Sequence, residues 1–247
     1  MHNIIHLNNL AVSLNNLVAA LPAELNEALS IVREEFPIAF FETVYSTFLA
    51  VFFSYLIGLP LGVLLVTGAK NGIKPLPKAV LSVLEFIINV LRSVPFLILV
   101  VAVFPLTRLI AGTIVGTPAS IVPLVVAGFP FVARLTENSL KRINQNTVKA
   151  VKSMGATYFQ IVFYVMLPES LPSIISDVTT ATATMLGYTA MSGMLGGGGL
   201  GKIAINYGYY RYKYLVMILA VILLVLLVQV IQFAGKKISE KADKRKA

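Results

Sequence analysis

No cysteine occurs anywhere in the 247 residues, which excludes disulfides, thiol chemistry and thiolate metal sites. Histidine is confined to His2 and His6, and neither has an Asp, Glu or Cys at metal-ligand spacing. Both read as solvated terminal residues, and no metal site is expected. Charge is scarce as well: 13% of residues are charged against 57% hydrophobic, and a mean hydropathy of +0.84 is too high for an ordinary soluble domain. The chain therefore reads as an all-α polytopic membrane protein. Its net charge of +9 would suit nucleic acid, but the basic residues cluster beside apolar spans, as membrane orientation requires. Nucleic acid is discounted, and membrane lipid is the expected surrounding. No Lys or Arg precedes Arg33, so the basic start of a secretory signal is missing and no cleavage is expected.

Catalytic machinery is also missing. No nucleophile, base and orienting group stand in a recognisable arrangement, which makes a membrane enzyme the weakest reading. Gly196 to Lys202 matches G-x-x-x-x-G-K, but Ile203 stands where a magnesium-binding Ser or Thr is required, and no strand precedes the motif. The chain is expected to bind no nucleotide, so energy for any transport comes from a partner or an ion gradient. An ion-coupled carrier would use Asp177 and Arg92 as its ion or proton site, yet no inverted repeat of broken helices is present.

What is there is a series of apolar spans, near residues 41–66, 80–104, 119–135, 171–195 and 214–234. They imply an external amino-terminal segment (1–37) with a short amphipathic helix over 23–36, a five-span domain (38–235) and a basic tail (236–247). Gly58 and Gly62 flank Pro60 on one face, either as a packing seam or as glycine tolerated in a membrane helix. Arg92 lies well inside the second span and needs a partner: Glu85 or Asp177 is in reach, with snorkelling to water as the alternative. If the spans alternate sides, the 70–78 loop, the 134–152 segment and the tail share one face. That face carries 14 of the 20 Lys and Arg residues, which places it in the cytoplasm and the amino terminus outside.

The fourth span is unusually polar, and such a helix is costly against lipid. Asp177, Thr180, Thr184, Tyr188 and Met191 share a helical stripe, the candidate wall of a conduit, with Met191 or Met194 able to close it. The glycine run after it suggests a tight, pliable turn at the outer mouth. The Tyr and Arg run to 214 reads as an interfacial belt or a docking surface.

Residues 146–169 form a two-part basic joint between spans. Thr147 to Met154 is a short helix capped by Asn146 or Thr147, and Gly155 ends it in a left-handed turn. Thr157 caps a second helix, with Tyr158, Ile161, Val162, Val165 and Met166 on one face until Leu167 and Pro168 break it. Lys149-Ala150-Val151, Gly155, Val165 and Leu167-Pro168 keep every spacing of the cytoplasmic loop of type I ABC importer permeases. That loop reads Glu-Ala-Ala, three residues, Gly, nine residues, Ile, one residue, Leu-Pro. Lys149 replaces its acid and Val151 its second Ala.

Three further stretches resemble the methionine-uptake branch of that family: Gly58 to Gly62, Arg92 to Phe96, and Gly196 to Tyr212. Related permeases for glycine betaine or other small solutes share part of the glycine run. The resemblance implies the type I importer permease fold in a bacterial cytoplasmic membrane. It implies a second copy of the chain, two ATP-binding cassette subunits that hold ATP and Mg, and an extracytoplasmic substrate-binding protein. Gly155 would turn the coupling helix, and Lys149, Ala150, Val151, Met154 and Ala156 would form its contact surface.

Overall fold

A computed structural model describes residues 2–242, with side chains from Leu25 onward. The expectations for residues 1–24 and for the end of the basic tail fall outside the described side chains. Helix α1 (His2–Thr67) is followed by α2 (Lys78–Ser93), α3 (Phe96–Ala102), α4 (Phe104–Ala111) and α5 (Thr117–Lys141). After α6 (Gln145–Ser153) come α7 (Tyr158–Gln160), a π turn (Ile161–Met166) and α8 (Leu167–Ser192). The described residues end with the short α9 (Gly199–Ile203), a second π segment (Ala204–Tyr210) and α10 (Tyr214–Ala242). Among the described residues four helices are long and apolar enough to cross a membrane, and a fifth crossing results if one bent pair counts as a span.

That bent pair is the expected second span. Pro95 pushes Val94 into an extended conformation (φ −78°, ψ 127°), which ends α2. The chain then turns through 111° into α3, so residues 80–104 form an elbow instead of a straight helix.

The centre is the crossing of α1 and α5. A Cβ on Gly58 would lie 2.6 Å from the Phe129 carbonyl, and one on Gly62 would lie 2.6 Å from Thr136 Cβ. Gly128 answers from α5, where a Cβ would meet Ser54 Oγ at 2.1 Å. Gly58 and Gly62 form the packing seam that the sequence offered as one of two readings, and Gly128 joins them from the facing helix. Inside a bilayer no hydrophobic difference separates helix from lipid, so association rests on close van der Waals approach. Many hydroxyls inside the bundle are bonded along their helices or across them, as with Thr47 and Thr189, 3.1 Å apart between α1 and α8. The hydroxyls of Ser54 and Thr136, at the α1–α5 seam, and of Tyr55 are buried without a partner among the described residues.

Two expectations are corrected. The amphipathic segment over 23–36 is no separate surface helix: from Leu25 it continues into α1 through Pro37 without a break, so the boundary at 37 falls inside a helix. Its apolar face (Ala28, Ile31, Phe36) packs on Leu200, Ile203, Val216 and Ala220. Glu27 pairs with Lys213, and the Tyr207 hydroxyl donates to Glu35. That carboxylate raises the Tyr207 phenol above its ordinary range, so the hydroxyl keeps its proton at neutral pH.

The glycine run is likewise no pliable loop. Gly197 to Leu200 are buried; a Cβ on Gly198 would strike Thr117 Oγ1 at 1.9 Å, and one on Gly201 the Ala190 carbonyl at 2.2 Å. The glycines here serve close backbone approach, and Gly199 at φ +84° also requires the left-handed region.

Gly62→Ala should already crowd the seam and Gly62→Leu more so, at a cost of about 1–3 kcal/mol for overpacking. Thermal unfolding of the detergent-purified protein checks this through a lowered midpoint.

Candidate functional site

The second half of the joint and the polar helix are one continuous structure. Asn144, not Asn146 or Thr147, caps α6, its side chain accepting from the Asn146 amide at 2.9 Å. Gly155 follows at φ +80°, and a Cβ there would meet nothing within 4 Å, so the demand for glycine is conformational alone. Val148 points inward to Leu140, Ile143, Ile161, Val162 and Met166, and Val151 and Ala156 pack against the same cluster. Of the expected contact residues, Lys149 and Ala150 are exposed and Met154 is 85% exposed. Val151 and Ala156 turn toward the body of the protein.

Thr157 caps α7 as expected: its hydroxyl accepts from the Gln160 amide, while the Gln160 side chain accepts from the Thr157 amide at 2.8 Å. Ile161, Val162 and Met166 are buried as the spacing implies. Leu167 and Pro168 do not end the helix. The Leu167 amide reaches back five residues to the Val162 carbonyl, and this wider turn accommodates the proline, which has no amide to donate. The Ser170 hydroxyl takes up the Met166 carbonyl at 2.8 Å. Residues Tyr158–Leu195 therefore run as one 38-residue span. A hydroxyl contact of 3.1 Å between Tyr158 and Thr67 ties its lower end to α1.

Along α8, Ser176, Thr180, Gly187 and Met191 are exposed on one face, with Thr184 half-buried beside them and Met194 exposed in the turn that follows. The hydroxyls of Thr180 and Thr184 donate to the Ser176 and Thr180 carbonyls at 3.0 and 2.9 Å. Bonded along their own helix, they present a mildly polar wall that needs no partner. Two members of the expected stripe face elsewhere. Asp177 is half-buried against α5 and accepts from the Ser139 hydroxyl at 2.5 Å. Tyr188 stacks on Phe96 at the elbow, the ring centroids 4.4 Å apart and the planes within 3°.

The Arg92 pair with Glu85 or Asp177 is not formed among the described residues. Arg92 sits exposed in the last turn of α2, where the elbow turns it outward. The acid that does hold cations in the bundle is Glu137, 3% exposed, bonded by Arg134 at 2.5 Å and Lys141 at 2.6 Å. Arg134 extends the network to Asn89 on α2 at 2.9 Å. The signal was the spacing Arg-x-x-Glu-x-x-x-Lys, which aligns three charges on one helical face. Glu42 was also missed: its carboxylate accepts from the Gly199 amide at 2.7 Å and orders the start of α9. No group that could hold a metal ion occurs among the described residues.

A family model described as a binding-protein-dependent transport system inner membrane component matches residues 58–237. The chain is 45% identical over 210 residues to the probable D-methionine transport system permease protein MetI of Vibrio cholerae, covering 84% of this chain and 92% of that one. It is 39% identical over 168 residues to the methionine import system permease protein MetP of Bacillus subtilis, covering 68% and 76%. Among solved structures, an inward-facing MetNI methionine ABC transporter matches with a TM-score of 0.81 at 44% identity, over 83% of this chain and 94% of that one.

Gly155→Asn should be tolerated, because asparagine visits the left-handed region, whereas Gly155→Val should destabilise the joint by roughly 1–2 kcal/mol. Amide hydrogen exchange over residues 145–160 reads the difference as faster exchange in the valine variant alone.

Proposed function

This chain belongs to the family of binding-protein-dependent transport system inner membrane components, and from that premise we propose that it lines the path by which an ATP-driven importer brings methionine, or a related amino acid, into the cell. The substrate follows from identity to methionine permeases over most of both chains. The chain itself is a transport component of the inner membrane and carries no catalytic machinery. ATP and Mg are bound by two cassette subunits, two copies of the chain enclose the path, and an external binding protein delivers the cargo. The joint faces the cytoplasm and the amino terminus the outside, in line with the concentration of Lys and Arg on the joint side.

The observation that carries this reading is the unbroken run from the Gly155 turn through the π turn to the open face of α8. Nucleotide-driven closure of the cassette pair displaces α6. Because Val148 of α6 packs on Ile161, Val162 and Met166, and α7 and α8 run as one span anchored at Tyr158, the displacement tilts the stripe of Ser176, Thr180, Thr184 and Met191. Two such stripes facing each other form a channel wall that alternates between inward and outward openings, with each nucleotide state selecting one of them. Glu137 and its two cations, together with Asn89, link α5 to the elbow.

Vesicles reconstituted with this chain, its cassette subunit and its binding protein should accumulate methionine when supplied with ATP. Collapse of ion gradients should not prevent it. Thr180→Leu combined with Thr184→Leu should lower uptake at least tenfold while ATP hydrolysis persists. Uptake driven by a gradient without ATP would overturn the reading.

A further inference from the structure

From residue 138 to residue 168, the joint short of its closing Glu169 and the turn before it carry positive charge only. Between Glu137 and Glu169 no acidic residue occurs, while Lys141, Arg142, Lys149 and Lys152 do, and the loop after α1 adds Lys70 and Lys74. Their fates differ. Lys141 is held by Glu137 at 2.6 Å, and Lys152 Nζ donates to the Ile73 carbonyl at 3.3 Å. Lys149 is exposed and forms no ion pair among the described residues. These lysines border a cavity of 370 Å³ between α6 and the loop after α1, lined by Thr67, Asn71, Gln145, Lys149 and Lys152, with Val148 and Met166 at its apolar side. Beside it Met154 stands 85% exposed.

Resting on the reading of this segment as the coupling joint, we infer that its protein partner presents an acidic groove. The groove places carboxylates at Lys149 and Lys152, one of them entering the cavity, and an apolar socket takes the Met154 thioether. A cation buried by docking without a counter-charge is strongly disfavoured, so a groove that receives Lys149 supplies an acid there. The related loop pattern has an acid at this position, so a groove matched to that pattern would have the opposite sign. Lys149 is thus a selectivity device: it favours the chain's own ATPase subunit and disfavours one built for the acidic version. A lipid leaflet is the less fitting source of anions, because Lys149 and Lys152 lie on the segment separating two spans and share their face with a protruding methionine.

The test uses the complete chain and its own cassette subunit, purified in detergent, with affinity measured at low and high salt. Wild-type assembly should weaken with salt. Lys149→Glu with Lys152→Glu should weaken it at least tenfold at low salt and flatten the salt dependence, Lys149→Gln should fall between, and Lys149→Arg should match wild type. Unchanged or tighter assembly of the Glu variants, with helicity retained, overturns the inference. So does a loss of uptake seen only in vesicles containing phosphatidylglycerol while assembly in detergent is intact, since lipid would then be the partner. Failure of the wild-type complex to import with ATP would sink the transport reading itself. Import by the wild type with charge-insensitive assembly would sink only the acidic groove.

Discussion

Pro168 has no amide hydrogen, and its ring crowds the preceding turn of any regular helix. In an apolar setting the usual outcome is a break, with carbonyls left for water to satisfy. Here the π turn over Ile161–Met166 widens the helix by one residue just before the proline, and Ser170 covers the Met166 carbonyl. The helix thus runs on through the proline without a break. Everything proposed about transmission depends on that continuity: a loop at residue 167 would absorb motion, whereas a continuous span passes it on.

The rest of the bundle is arranged to keep this span in register. Glycines at 58, 62 and 128 let α1 and α5 approach until backbone meets side chain, and Thr47 and Thr189 join α1 to α8. At the opposite end from the joint, the glycine run packs against α1 and α8, with Glu42 and Thr43 accepting from the Gly199 and Leu200 amides. Charges are treated just as strictly. Glu137 is buried only with both its cations, whereas Arg92, in no ion pair among the described residues, stands exposed at the elbow.

Much of the joint was legible in the sequence because its signals are local. Gly155 and Thr157 announce a left-handed stop and a helix start within three residues, and the Gly58/Gly62 spacing marks a face for close packing. What was not legible depends on partners distant in sequence. Polarity places Asp177 and Tyr188 in a stripe, but Ser139 and Phe96 draw them aside. The amphipathic pattern over 23–36 suggested a separate helix on the membrane surface, yet Lys213 and Tyr207, 186 and 172 positions later, receive Glu27 and Glu35. The glycine run looks loose only while the elements that fill its missing side-chain positions are unseen. Leu167-Pro168 reads as a stop because a π turn has no signature in periodicity.

The absence of cysteine makes the central claim directly measurable. Spin labels at Tyr164→Cys and Met191→Cys, both exposed, would sit roughly 40 Å apart along one helix at 1.5 Å per residue. In an assembled complex carrying one labelled copy, pulsed dipolar spectroscopy should report the same distance in the nucleotide-free and ATP-bound states. A second pair, from Tyr164→Cys to the same position in the other copy, should change. If the first distance shortens on ATP binding, the span bends near Pro168, and motion is lost there instead of reaching the path.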